Sequence, residues 1–190
     1  MRRVLASVPI LLVLTGFTGL VRATVILPAE FREVVAGSDV IAHVQIADVR
    51  PEWAQGRRRI DSLVTAVVVS YLKGGQPAGT ITFQVPGGEL GRYRSIMIGA
   101  PVFSPGDEAV LFLNAGAGAP FQIFGLNQGV FRVRPDPVSG RRMVVSPVLL
   151  STSDGPERVT RGSAARRALA LEEFGTQVRT LVAQAQAVRQ

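Results

Sequence analysis

The chemistry open to this chain is narrowed first by the residue types it lacks. It has no cysteine and a single histidine, His43. Thiolate metal sites, iron–sulfur clusters, disulfides and cysteine nucleophiles are excluded together. A Ser–His–acid triad would have to use His43 as its base. No G-x-S-x-G elbow is present, and His43 falls inside an alternating apolar segment, where an ordinary sheet-surface histidine is expected. Catalytic zinc commonly takes three protein ligands, often histidines, and calcium needs several clustered oxygens. Asp107-Glu108 and Asp136 are too sparse and turn-like for the latter. Glycosidase chemistry needs two carboxylates facing across a cleft. Glu52, Asp61, Glu89 and Asp107 are available, but no spacing singles out a pair. Gly87-Gly88-Glu89-Leu90-Gly91 is glycine-rich, yet no phosphate-loop lysine follows and no long helix opens; it reads as a β-turn or bulge. The residues therefore assign no catalytic group, no cofactor and no metal. A non-enzymatic binding or accessory module is expected, with a carboxylate-using hydrolase or a structural envelope protein as alternatives.

The residues left for recognition are aromatic and basic. Trp, Tyr and Arg are the usual anchors of protein interfaces. Trp53, Arg57, Arg58 and Arg59 fall in one expected loop, residues 52–60, and Tyr93 in another, 87–104. The net charge is +7, from 21 basic and 14 acidic residues, and all but one of the basic residues, Lys73, are arginine. That skew reads as coding bias rather than selection for phosphate contacts. The charge is scattered and aromatics are 6%, which argues against a nucleic-acid binder. Arg57–Arg59 is expected on a solvated loop.

The N-terminus predicts where these residues act. Met1-Arg2-Arg3 is a short positive start, Val4–Val21 is uncharged and apolar, and Val21-Arg22-Ala23 ends in a small residue. These are the three parts of a secretory signal peptide, with the cut between Ala23 and Thr24. Retention as an anchor is the competing reading, since the run is near the lower length limit for crossing a bilayer. Pro9, Gly16 and Gly19 favour cleavage. The exported chain would keep 18 basic and 14 acidic residues and have no further membrane-spanning segment. A secreted or periplasmic location follows, with an exported protein as the expected partner.

The elements that must position the recognition residues are mostly strands. Residues 27–36 read as a short helix with Pro28 at its first position, ended by Gly37 as C-cap. Asp39–Val49 alternates, with Val40, Ala42, Val44 and Ile46 on one side, and Pro51 is expected to end it. Leu63–Leu72 is β-branched and nearly continuous, which predicts a strand covered on both faces. Thr80–Val85 alternates again. Residues 87–107 read as a long loop holding a short strand near 95–98, and loops of that length are often functional. Ala109–Leu113, Phe121–Phe124, Gly129–Arg134 and Arg142–Val145 complete the strands. Residues 149–167 shift to Ser, Thr, Gly and Arg and read as a flexible connector. Residues 168–188 are amphipathic and helical, with Gly175 as a weak point. The expected organisation is a leader at 1–23, a β-barrel domain at 24–148, the connector, and a terminal helix within 168–190. Short strands with turn signals every 8–12 residues predict a mainly β fold, a small barrel or sandwich of five to seven strands flanked by two helices.

The order of "FREVVAGSDVIAHVQIADV", "TAVVVSYLKGG", "ITFQVPGGELG" and "FSPGDEAVLFL" resembles the N-terminal half of the netrin-like and tissue-inhibitor-of-metalloproteinases group over residues 31–133. The chain is also similar to exported bacterial proteins of the same layout with a terminal "LEEF…VR" helix. The resemblance implies a five-stranded OB-type barrel. Members of the inhibitor group begin with a cysteine whose amine and carbonyl chelate the target zinc. Here the expected mature start is Thr24-Val25-Ile26, with no disulfide to hold it, so the resemblance carries the fold and not the inhibition. Thr24 stays a candidate contact through its free amine.

Overall fold

The computed structural model describes residues 29–75, 79–116, 119–147 and 168–187. The leader, its cleavage site at Ala23 and Thr24, and the connector at 149–167 lie outside these residues.

A short helix α1 (Phe31–Gly37) precedes three strands, β1 (Val40–Ala54), β2 (Arg59–Lys73) and β3 (Thr80–Pro86). A small hairpin follows, β4 (Gly88–Leu90) and β5 (Tyr93–Ser95), then β6 (Glu108–Gly116), β7 (Ala119–Ile123), β8 (Val130–Pro135) and β9 (Arg142–Val145). The described chain ends with β10 (Leu169–Ala170) running into helix α2 (Leu171–Ala187). Five strands close on themselves in the order β1-β2-β3-β7-β6, with β6 pairing back to β1. The joint between β3 and β7 is parallel and spans only Phe83↔Phe121 and Gln84↔Gln122, so the ring is partly open there. This is the OB-type barrel expected from the sequence. Strands β8, β9 and β10 continue the sheet from β6 as an outer wing.

Alternation along the strands builds two cores. Val40, Ala42, Val44 and Ile46 of β1 point into the barrel with Val64, Phe83 and Leu111. Ile41, Val110, Phe112 and Phe131 point outward, where α1 and α2 cover them with Val34, Val35, Phe174 and Val178. The side chains of Phe31, Phe112, Phe131 and Phe174 stack there, with ring centroids 5.0 Å apart for Phe131–Phe174 and for Phe112–Phe131. Strand β6 serves both cores, so Ala109–Leu113 is buried on every side.

Several boundaries differ from the sequence reading, each for a local reason. The first helix begins at Phe31 rather than 27, with Glu30 as its N-cap and the Glu33 carboxylate accepting the Glu30 N–H at 3.1 Å. Gly37 is its last residue and not a left-handed cap; the C-cap is Ser38, in extended geometry. A Cβ on Gly37 would lie 2.7 Å from the Phe124 ring, so glycine is there for close packing. The lone lysine, Lys73, closes the helix by donating to the carbonyls of Val35 and Ala36 at 2.9 and 3.2 Å, a cation at the negative end. Strand β1 runs through Pro51. Past Gln45 it pairs with β2 alone, so the missing proline N–H falls on a free edge. Strand β2 is not covered on both faces: Val67 and Val69 are exposed.

Candidate functional site at the open end of the barrel

Past Gln45, β1 leaves β6 and runs on with β2 as an arm paired from Asp48↔Thr65 to Ala54↔Arg59, its β2 edge staying paired with β3 as far as Asp61↔Pro86. Its tip is a tight turn in which Gln55, Gly56 and Arg57 all take positive φ, +50°, +64° and +67°. Two of these are not glycine, and such residues cost roughly 1–2 kcal/mol each in the left-handed region. The turn holds Arg57 and Arg58 in solvent, with the Arg57 guanidinium 6.0 Å from the centroid of the Trp53 ring.

The stretch expected as a long loop folds back on this arm as the β4–β5 hairpin. Gly87 and Gly88 make the fit possible. A Cβ on Gly88 (φ +153°) would stand 2.8 Å from Ser62 Oγ and 3.2 Å from Ile60 Cγ2. In their native place the Ser62 hydroxyl donates to the Gly87 carbonyl at 2.8 Å, and the Gly87 N–H donates to the Ile60 carbonyl at 3.1 Å. Docking carries Tyr93 onto Trp53, edge-to-face, with ring centroids 5.3 Å apart. Arg92 lies 5.1 Å from the Tyr93 ring and donates to its hydroxyl at 2.9 Å.

Residues 96–104 then cross the open end. Their root is fixed by Arg132 of β8. Its guanidinium pairs with Asp107 at 2.7 Å, covers the Phe103 ring at 4.8 Å and donates to the Val102 carbonyl. The crest is not covered: Ile96, Met97, Ile98 and Val102 are 71%, 41%, 89% and 80% exposed. Between crest, hairpin and arm lies a cleft of about 280 Å³. Val64, Val85 and Phe103 of the barrel core form its floor, and Ile96, Met97 and Val102 its mouth. The polar groups in it are few: Ser62, Ser95 and the Glu89–Arg94 pair at 3.0 Å.

The structure thus brings together Trp53, Arg57 and Tyr93, with Arg58 beside them at the turn. Arg59 is turned away. It pairs with Asp61 at 2.7 Å, and Asp61, 1% exposed, also accepts from Gln84 at 2.8 Å. The crest residues Ile96, Met97, Ile98 and Val102, and Arg92, were missed by sequence reasoning. The apolar run Ile96-Met97-Ile98 was the available signal, but it reads equally as a short strand.

The four candidate acids are dispersed. Glu52 is exposed on the arm, Asp61 is buried with Arg59, Asp107 is fixed to Arg132, and Glu89 lines the cleft in its pair with Arg94. His43 corrects an expectation. It faces outward from the barrel, but it is only 5% exposed, so it is not a sheet-surface residue. Its Nε2 lies 2.6 Å from Glu108 Oε1, and Arg142 donates to the same oxygen at 2.9 Å. A carboxylate only accepts, so Nε2 carries the hydrogen. Among the described residues no three His, Cys, Asp or Glu gather as a metal site, and no helix is long and apolar enough to cross a membrane.

Comparison with protein-family models, curated proteins and solved structures returns no match to this chain.

Proposed function

We propose that the chain is an exported, non-enzymatic binding module that recognises a protein or peptide through the open end of its barrel. One observation carries this reading. Three exposed apolar side chains, Ile96, Met97 and Val102, line the mouth of a cleft floored by the barrel core, and Ile98, next to them in the chain, stands in solvent. Single exposed apolar residues are ordinary, but a contiguous exposed group beside a concavity marks an interaction site. The Trp53–Tyr93 pair beside it supplies rigid aromatic contact area of the kind that dominates interface energetics. Export rests on the N-terminal pattern, and the netrin-like and tissue-inhibitor-of-metalloproteinases resemblance belongs to this proposal at the level of fold. Protease inhibition is its sharper form and would use the Thr24 amine.

The test places a photo-crosslinking amino acid at Met97 in the chain expressed with its own leader. Export predicts recovery from the periplasm or medium with Thr24 at the N-terminus. Binding predicts one dominant protein adduct, lost when Ile98→Asp or Trp53→Ala is added. Val138, 94% exposed on the β8–β9 turn, is the control position. Equal adducts from 97 and 138, or none from 97, refute the reading. A metalloprotease as the adduct, inhibited on mixing, would select the sharper form.

A further inference from the structure

Building on the proposed binding role of the barrel end, we infer that the partner presents an acidic segment whose apolar side chain enters the cleft between the arm, the β4–β5 hairpin and the crest. Size and lining select the anchor. The cleft, about 280 Å³, lies at the lower end of the range of ligand sites and has room for one side chain carried by a larger partner. Its floor, Val64, Val85 and Phe103, offers no hydrogen bond, and Glu89 is already answered by Arg94. With the Ser62 hydroxyl donating to the Gly87 carbonyl and Arg94 paired with Glu89, a charged side chain entering here would exchange its water for few partners, whereas an aliphatic or aromatic one replaces water with the barrel core.

The turns of the arm and of the β4–β5 hairpin, outside the cleft lining, select the flanking charge. Arg50, Arg59 and Arg94 each have an acid: Asp48, Asp61 and Glu89. Arg57, Arg58 and Arg92 have no carboxylate partner among the described residues, and Glu52 is the remaining acid of this end. Two of the three unanswered guanidiniums are held over aromatic rings, Arg57 on Trp53 and Arg92 on Tyr93. Stacking restrains them before the partner arrives, so less rotamer entropy is lost on binding. A guanidinium fork matches a carboxylate in two parallel hydrogen bonds. A basic segment would be repelled, and a neutral one would leave three cations unanswered. An anionic bilayer shares the charge preference, but it has no use for a concave site. The cleft therefore favours a peptide segment.

The probe is a displayed library of random peptides of about twelve residues, selected on the full chain expressed with its own leader. Selection on the Met97→Asp variant subtracts background. The expected consensus is a Leu, Ile, Phe or Trp flanked by at least two Asp or Glu. A synthetic consensus peptide should shift the emission of Trp53, the sole tryptophan. Arg57→Glu with Arg92→Glu should weaken it by about tenfold or more, as expected for losing hydrogen bonds to charged groups. Both positions are exposed, so an unchanged urea midpoint separates lost binding from lost folding. A neutral or basic consensus that still fails on Met97→Asp overturns the acidic inference and leaves the binding role standing. No enrichment over the variant overturns both. In that event, Met97-dependent co-sedimentation with vesicles of phosphatidylglycerol and phosphatidylcholine in equal parts would assign the crest to a lipid surface.

Discussion

Alanine at Gly88 should separate the β4–β5 hairpin from the arm and thereby dismantle the recognition surface. The new Cβ would sit 2.8 Å from Ser62 Oγ and 3.2 Å from Ile60 Cγ2, at a φ of +153°. Backbone strain of this kind costs about 1–3 kcal/mol. Moving Ser62 aside breaks its hydrogen bond to the Gly87 carbonyl, a further ~0.5–1.5 kcal/mol. A total loss of about 2–4 kcal/mol follows, unless the hairpin swings out, in which case Tyr93 leaves Trp53. Both results are visible in one assay. Trp53 is the sole tryptophan, so urea unfolding followed by its fluorescence reports stability from the midpoint and hairpin position from the native emission. Gly88→Ala should lower the midpoint, red-shift the native emission, or both. Gly91→Ala is the control: φ is also positive, but nothing lies within 4 Å, so about 1 kcal/mol of strain is expected with the emission unchanged. Adding Ser62→Ala to Gly88→Ala should restore part of the loss by removing the nearest atom. An alanine at 88 that leaves both midpoint and native emission at wild-type values refutes the docking geometry.

Other residues make contrasting predictions. Gly175→Ala should stabilise the chain by about 0.5–1 kcal/mol, because a Cβ there meets Leu72 and Arg179 only at 3.7 Å; a lowered melting temperature would show that the helix seat is tighter than this. Arg59→Ala should cost roughly 2–3 kcal/mol by leaving Asp61 buried with Gln84 alone, while Arg58→Ala next to it should stay within about 0.5 kcal/mol; equal urea midpoints for the two would contradict the assignment. Asp136 is held below its ordinary value of 3.8, first by the Ser139 N–H, then by the Ser139 hydroxyl and the Val138 N–H. Because the folded value is lowered, its contribution is present above the unfolded value and fades as pH falls through the folded one. An NMR titration should place Asp136 below 3.8 and Ser139→Ala should move it upward; movement downward would reverse the assigned cause.

Much of the scaffold was legible in the sequence because it depends on local periodicity. Val40, Ala42, Val44 and Ile46 could share one face only in a strand. The turn residues at 135–140 set off β9 at Arg142–Val145 as expected. Leu171, Phe174, Val178, Leu181 and Val182 could share one stripe only in a helix, and that helix docks through Phe174 and Val178.

The recognition end was legible only in part. Trp53, Tyr93 and the arginines stood out by type, but residue type does not say which of them meet. Arg57, Arg58 and Arg59 are adjacent and alike in the sequence. Arg59 opens β2 and shares a face with Asp61 two residues on, while the other two stay at the turn. Pro51 reads as a strand end, and it is one wherever a neighbour needs its N–H; only the departure of β6 at Gln45 removes that need. His43 reads as a surface residue because alternation puts it outside the barrel. Only the wing strands, more than 80 residues further along the chain, together with helices α1 and α2, decide that the outside of the barrel is itself a core. By itself the sequence determined the elements, their faces and the types of side chain available for recognition, since these follow from short-range sterics and hydrophobic spacing. Tertiary structure decided where apolar side chains remain in solvent and what concavity they surround. These depend on contacts between segments far apart in the chain, and no local pattern encodes them.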